Sequence, residues 1–204
     1  MSLLKAIKAQ LGLSNTPANN FTITAEADNG TLKLARGNAG ATTQDILTVD
    51  AQGRVKTPQN LVAFSAFQSV GTTVPNGGSG AKVIFQQKRF DIGNFYDTTT
   101  GRFTPNIPGY YQLNTSVSYA DAPIAASAIQ VGLVKNVEDL SSAFARSIVG
   151  QSGGYCILSV SGIVYLNGTG DYACVVTYQN QGSNRVTQAT QLDTNFSGIL
   201  IQPA

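Results

Sequence analysis

Short alternating runs separated by tight turns occupy most of the chain. Phe21-Thr22-Ile23-Thr24-Ala25 alternates apolar and polar positions, and Asp28-Asn29-Gly30 supplies a turn. Thr31-Leu32-Lys33-Leu34 alternates again, Asn38-Ala39-Gly40 turns once more, and residues 46–50 and 54–56 flank Ala51-Gln52-Gly53. Alternation of period two between glycine- and asparagine-bearing turns predicts β-hairpins. A segment of about 40 residues hides too little surface to hold a core of its own. The region is therefore expected to be a narrow β-hairpin stalk of residues 21–60, interwound with further copies around a common axis.

A different period opens the chain. Leu3, Leu4, Ile7 and Leu11 recur at helical spacing, with Lys5, Lys8 and Gln10 between them, and Gly12 followed by Ser14-Asn15-Thr16-Pro17 ends the run. This predicts a helix over residues 2–13. So short a helix is marginal in water. Its apolar stripe Leu3, Leu4, Ile7, Leu11 is thus the expected anchor on another protein, with residues 1–20 as anchor helix and linker.

Beyond Thr57-Pro58-Gln59-Asn60 strand-like runs return at residues 62–67, 82–86, 110–119, 129–134, 155–166, 172–178 and 195–201. Many short strands with turn signals between them predict a sandwich. A spaced set runs through this region: Phe85, Asp91, Tyr96, Phe103, Gly109 and Tyr111, then Gly170-Asp171, and a closing strand Phe196-Ser197-Gly198-Ile199-Leu200-Ile201. That set resembles the signature of the complement component 1q globular head, a jelly roll related to tumour necrosis factor. Leu113 and Thr115 depart from it, standing where that family has aromatics. The resemblance covers residues 62–204 and implies a jelly-roll domain and a homotrimer. It implies no ligand. On this reading Phe85, Tyr96, Phe103, Tyr111 and Phe196 are core and interface residues, and Gly109 and Gly198 mark backbone positions of the same signature. A looser resemblance links Ile46-Leu47-Thr48-Val49-Asp50-Ala51-Gln52-Gly53-Arg54-Val55 to the strand-turn-strand element of bacteriophage fibre proteins.

Composition removes several classes of function. Charged residues make up 12% of the chain and hydrophobic ones 42%, so polar surface falls to Asn, Gln, Ser and Thr. Net charge is +2: six basic and four acidic residues over 1–60, seven of each over 61–204. No basic stripe follows a phosphate backbone, which argues against nucleic acid. Histidine is absent, removing the commonest general base and metal ligand. Cys156 and Cys174 lie in apolar runs and read as buried thiols. No secretory leader is legible at the N-terminus, and no apolar run reaches the ~20 residues of a membrane span.

Catalytic motifs are weak. Gly150-Gln151-Ser152-Gly153-Gly154 fits a nucleophile elbow, but a strand-like run follows and no histidine base exists. Gly77-Gly78-Ser79-Gly80-Ala81-Lys82 lacks the ending of a phosphate loop and precedes a strand. Glu138-Asp139 reads as surface charge, since glycosidase chemistry needs acids facing across a cleft. Some relatives in the resembled family hold calcium, for which Asp91, Asp97, Asp171 and Asp193 are available, but no spacing groups them. No cofactor is expected.

The expectation is an all-β homotrimer of three parts, with residues 61–204 as the jelly roll and no enzymatic activity. The implied setting is the virion surface of a tailed bacteriophage, the protein being made in the host cytoplasm. Its N-terminus would meet other virion proteins. A short fibre for host attachment and a capsid decoration protein both fit, as does a non-viral lectin-like adhesion module. The amide-rich run Tyr178-Gln179-Asn180-Gln181-Gly182-Ser183-Asn184 is the expected place for a host-surface glycan, because amides and hydroxyls bond sugar hydroxyls in both directions.

Overall fold

The computed structural model describes residues 7–16, 19–26, 30–38, 41–57, 62–119, 128–149 and 156–204. They fall into two compact units, Met1–Leu61 and Val62–Ala204.

The N-terminal unit is one antiparallel meander. Strands β1 (Ile7–Leu11), β2 (Phe21–Glu26), β3 (Thr31–Asn38), β4 (Ala41–Val49) and β5 (Val55–Lys56) are bonded in chain order into a single five-stranded sheet. Ile7–Leu11 is therefore a strand and not the helix expected there. It pairs with β2 from Ile7↔Ala25 to Leu11↔Phe21. Ile7, Ala9 and Leu11 fit period two as well as Ile7 and Leu11 fit a helix. An open strand edge beside β2 offers ladder bonds that a short helix in water does not match. Leu3 and Leu4 lie outside the described residues. Strands β2 to β5 pair antiparallel in chain order, and β1 joins them in one sheet. The β4–β5 turn is held by Asp50, whose carboxylate accepts the backbone N–H groups of Gln52 at 3.1 Å and Arg54 at 3.0 Å and the Arg54 guanidinium at 2.7 Å. The backbone N–H of Arg54 is the leading cause that holds Asp50 below the usual carboxylate range.

The C-terminal unit runs through β6 (Ala63–Phe67), β7 (Thr73–Val74), β8 (Ala81–Val83), β9 (Gln87–Ile92), β10 (Tyr96–Asp97), β11 (Arg102–Phe103), β12 (Gly109–Tyr119) and β13 (Ile129–Lys135). A one-turn 3-10 helix (Leu140–Ser142) follows, then β14 (Ala143–Val149), β15 (Cys156–Leu166), β16 (Ala173–Gln179), β17 (Arg185–Val186) and β18 (Asn195–Pro203). One large sheet is ordered β10-β11-β16-β13-β14, with β8 also on β16, a second is ordered β15-β12-β18-β6-β9, and β17 pairs with β7 in a small third. Chain neighbours are scattered across both large sheets, so the contacts are long-range, as a jelly roll requires.

Alternation in β12 explains the layering. Tyr111, Leu113, Val117 and Tyr119 are buried, whereas Tyr110 and Asn114 are exposed. The inward set meets Phe64, Phe85, Phe103, Val131, Leu133, Val175 and Phe196 in one core. Both thiols are buried, and burial pushes Cys156 up to about 11 and Cys174 up to about 12.

Candidate functional site

The spaced aromatic positions converge on one cluster. The Phe64 ring stacks on Phe103 at 4.4 Å and on Tyr96 at 5.2 Å between centroids, and meets Phe196 edge-on at 4.9 Å. Phe85 lies 5.7 Å from Phe196, and Tyr111 5.4 Å from Phe103. The separations and tilts are those aromatic pairs favour. Asp91 sets the approach: its carboxylate accepts the N–H groups of Phe95 and Tyr96, each at 3.1 Å, and Lys88 Nζ at 3.0 Å. Tyr96 is thereby aimed inward, where its hydroxyl accepts the Phe85 N–H at 3.1 Å. Burial raises the Tyr96 phenol, and raises that of Tyr111 to about 12.

The two signature glycines are positions of close approach. A Cβ on Gly109 would sit 2.5 Å from the Gln202 carbonyl oxygen, and one on Gly198 would sit 2.5 Å from Leu113 Cδ2 and 2.7 Å from Phe64 Cε1. Leu113 thus fills the space beside Gly198. Thr115 is buried with its hydroxyl donating to the Asn195 carbonyl at 2.9 Å. Phe85, Tyr96, Phe103, Tyr111 and Phe196 are buried in one core, and Asp91 builds the turn that shapes it.

The acidic residues are engaged locally. Glu138 accepts Lys82 Nζ at 2.7 Å and the Arg102 guanidinium at 2.9 Å, and the Lys82 bond leads in lowering its pKa. The Arg102 guanidinium also lies 4.1 Å over the Tyr172 ring. Asp139 accepts the Ser141 N–H at the start of the 3-10 helix. Asp97 accepts from Thr99 and Thr100, Asp193 from Thr190, and Asp171 from Asn136 and Lys135. Among the described residues no three His, Cys, Asp or Glu side chains are grouped to hold a metal ion. Ser152 and its glycine neighbours lie outside the described residues. The glycine loop before Lys82 leads into β8, a strand.

The amide-rich run after β16 is turned partly inward. Gln179 and Gln181 are buried. Gln179 donates to the carbonyls of Val74 and Ser183 and accepts the Gln181 N–H. Asn184 accepts the Asn76 N–H, and Asn76 accepts that of Gly182. These amides secure loops, and Asn180, Ser183 and Asn184 remain exposed. Sequence alternation places Gln179 on the core side of β16 beside Val175 and Thr177, which was the signal for its burial.

The two outer sheet faces differ. On the sheet of β16, Cys174 and Val176 are covered by Leu140 from the 3-10 helix, with Val134 completing a second small cluster. The sheet of β15, β12 and β18 bears exposed apolar side chains instead. Tyr110 stands opposite Tyr165, and Gln112 lies between Ile163 and Ile199. Ile163 is 58% exposed and Ile199 52%. Ile201, Ile157 and, nearer the edge, Phe90 and Ile92 are exposed as well. Between the apolar ends runs a ladder of hydroxyls and amides, with Asn114 accepting from Ser161 at 2.9 Å. The ladder borders a shallow recess of about 320 Å³ lined by Asn114, Ser116, Ser159, Ser161 and Asn195. Strands β12, β15 and β18 carry no charged residue. Charge enters this face at its edge, where Arg89 of β9 donates to Ser65 and lies over the Phe67 ring, and exposed apolar side chains gathered on one sheet face are the mark of an interaction surface.

Two packed sheets of this strand order, around an aromatic core, define a tumour-necrosis-factor-like jelly roll. The C1q domain family model matches residues 63–201, more than half of the chain, and the chain belongs to that family. Complement C1q tumor necrosis factor-related protein 7 of Mus musculus is 27% identical over 142 residues, 70% of this chain. The match spans 45% of that relative's own length. In fold the chain is similar to the Eiger TNF from S. frugiperda, with 11% identity, TM-score 0.55, and coverage of 72% of this chain and 96% of that one. It is also similar to murine APRIL, with 15% identity, TM-score 0.54, and coverage of 70% and 100%.

Proposed function

We propose that this protein is a non-enzymatic, homotrimeric attachment protein that joins three C-terminal units through the bare face of β15, β12 and β18. The observation that carries this reading is the asymmetry of the two outer faces. One is capped by its own chain at Leu140, and the other presents Tyr110, Tyr165, Ile163, Ile199 and Ile201 to solvent. The uncharged strands β12, β15 and β18 set no like charges against each other when identical copies meet there. Around a threefold axis the isoleucines and tyrosines form the apolar part of the contact, and the Asn114–Ser161 ladder lines its polar centre.

The setting we infer is the surface of a tailed bacteriophage particle, with the N-terminal unit toward the particle and the C-terminal unit outward as a short fibre. The support is the resemblance of residues 46–55 to phage fibre elements, together with the turn that Asp50 builds there. Ile163→Asp with Ile199→Asp places two negative charges per copy on the bare face. The expected product is a folded monomer by light scattering and circular dichroism. An unchanged trimer overturns the use of this face. Antibody against residues 62–204, applied to intact particles, reports placement. Label at the tail supports the fibre, label spread over the head supports capsid decoration, and unlabelled particles overturn the particle setting.

A further inference from the structure

The N-terminal sheet has two chemically distinct sides. Paired residues of neighbouring strands point to the same side, and the register aligns Ala25, Leu32, Val49 and Val55 in one row and Ala9, Ile23, Leu34 and Leu47 in the next. Leu11 and Phe21 extend that side, and Arg36, paired with Phe21, stands at its end. On the other side the matching row is Thr24, Lys33, Thr48 and Lys56. All five strands lie in one layer. None of the described side chains of the two apolar rows is buried, and Val55 is 63% exposed.

We propose that this apolar side is the contact between copies of the N-terminal unit, three sheets turning the rows of Ile23, Leu34, Leu47, Leu32, Val49 and Val55 toward a shared axis. The inference rests on the threefold C-terminal unit proposed above. Two observations select further copies of this chain as the occupant. First, six residues, 57–62, join β5 to β6, a reach of about 20 Å at ~3.4 Å per residue. The chain enters β6 at Ala63, which pairs with Ile199 in the apolar end of the bare face. Trimerisation there supplies two further copies of the N-terminal side at an effective concentration in roughly the millimolar range. Second, size fits assistance by a tether. Five strands about 4.8 Å apart and about five residues long give a face of roughly 400 Å². A standard free-standing interface takes about 800 Å² from each partner. The side is too small to dimerise unaided and large enough to close once held together. The two rows themselves bear no charge; Arg36 stands beyond them beside Phe21, and Lys33 and Lys56 lie on the opposite side.

Adjacent residues make the test internally controlled. Val55 and Lys56 point to opposite sides, and in a single chain they are comparably exposed, 63% for Val55 and 60% for the Lys56 side chain. Full-length Val55→Cys and Lys56→Cys proteins are labelled with a maleimide-polyethylene glycol under native conditions, and separate unlabelled samples are oxidised with copper phenanthroline. The buried Cys156 and Cys174 of the parent protein give the background. The expected result is labelling at Val55→Cys about tenfold slower than at Lys56→Cys, equivalent to about 1.4 kcal/mol of protection. Disulfide-linked dimers should form from Val55→Cys alone. Leu34→Cys, on the central strand, should be protected in the same way. A protein of trimeric mass in which both Val55→Cys and Leu34→Cys label as fast as Lys56→Cys overturns this inference and leaves the C-terminal contact standing. Protection without cross-linking in a trimer, with Val55→Cys coupling instead to another particle protein, also overturns it. A monomeric mass overturns the threefold reading and this inference together.

Discussion

The two units solve one problem in opposite ways. Each is built from antiparallel strands with an apolar side to hide. The C-terminal unit folds its strands into two sheets and closes Phe64, Phe103, Tyr111 and Phe196 between them. The N-terminal unit keeps its strands in one layer, and among its described residues Ala35 alone is a buried hydrophobic. The difference teaches where stability resides. A sandwich contains its own hydrophobic driving force, whereas a single-layer sheet borrows its from whatever covers it. The same contrast recurs inside the C-terminal unit, where one outer face is capped by Leu140 and the other is bare.

The sharpest break of this comparison lies in the core. Phe103→Ala removes a ring stacked on Phe64 and set edge-on to Tyr111, and is expected to cost about 3–5 kcal/mol. Urea unfolding monitored on the isolated 62–204 unit measures it. A loss below about 1 kcal/mol would mean that the sandwich does not depend on its own core. A smaller effect is expected from Gly198→Ala, whose Cβ would meet Leu113 and Phe64 at 2.5 and 2.7 Å. Overpacking of this kind costs about 1–3 kcal/mol, and combining it with Leu113→Val should recover part of the loss. Recovery absent from the double variant would place the strain elsewhere.

Alkaline titration sharpens the same point. The folded Cys174 thiol is raised to about 12, above the ~8.5 of a free thiol. Its contribution is therefore whole below the unfolded value and is lost as pH rises from about 8.5 toward 12. Cys174→Ala should flatten that part of the stability profile. An identical alkaline slope in wild type and variant would contradict the burial. The smallest effect is expected at the surface. Glu138→Gln leaves Lys82 and Arg102 without their carboxylate, and such exposed pairs contribute about 0–1 kcal/mol. Glu138 is lowered in the fold, so the wild-type margin over the variant is present above the ordinary glutamate range and disappears as pH falls through the lowered value. A margin that grows in acid would reverse the assignment.

How much of this was legible follows from the same physics. The aromatic signature was readable because its members are separated by fixed strand and turn lengths, and Asp91, Tyr96 and Phe85 are tied by direct hydrogen bonds. Strands β12, β15 and β18 announced themselves through long alternation. Strand β9 did not: Gln87-Lys88-Arg89 is charged and exposed, as suits a sheet edge. Strand β14, Ala143–Val149, lacks clean alternation because its side chains are half covered on both sides. The helix expected over residues 2–13 failed where five residues fit two periods, and pairing with β2 decided between them. Alternation along β16 pointed Gln179 inward, but its polarity argued against burial, which the Val74 and Ser183 carbonyls make tolerable by accepting its amide. The bare face was legible in outline, as alternate positions of three strands. Its lack of a cap was not, because the capping residue Leu140 serves the other sheet.

The most direct measurement of the central claim is the mass of the full-length protein in solution. Light scattering at micromolar concentration should give about three times the 21.4 kDa chain, as expected when a bare apolar sheet face is covered by copies of itself. A folded, monodisperse species of a single chain mass would contradict it, leaving Ile163, Ile199 and Tyr110 exposed with no copy to cover them.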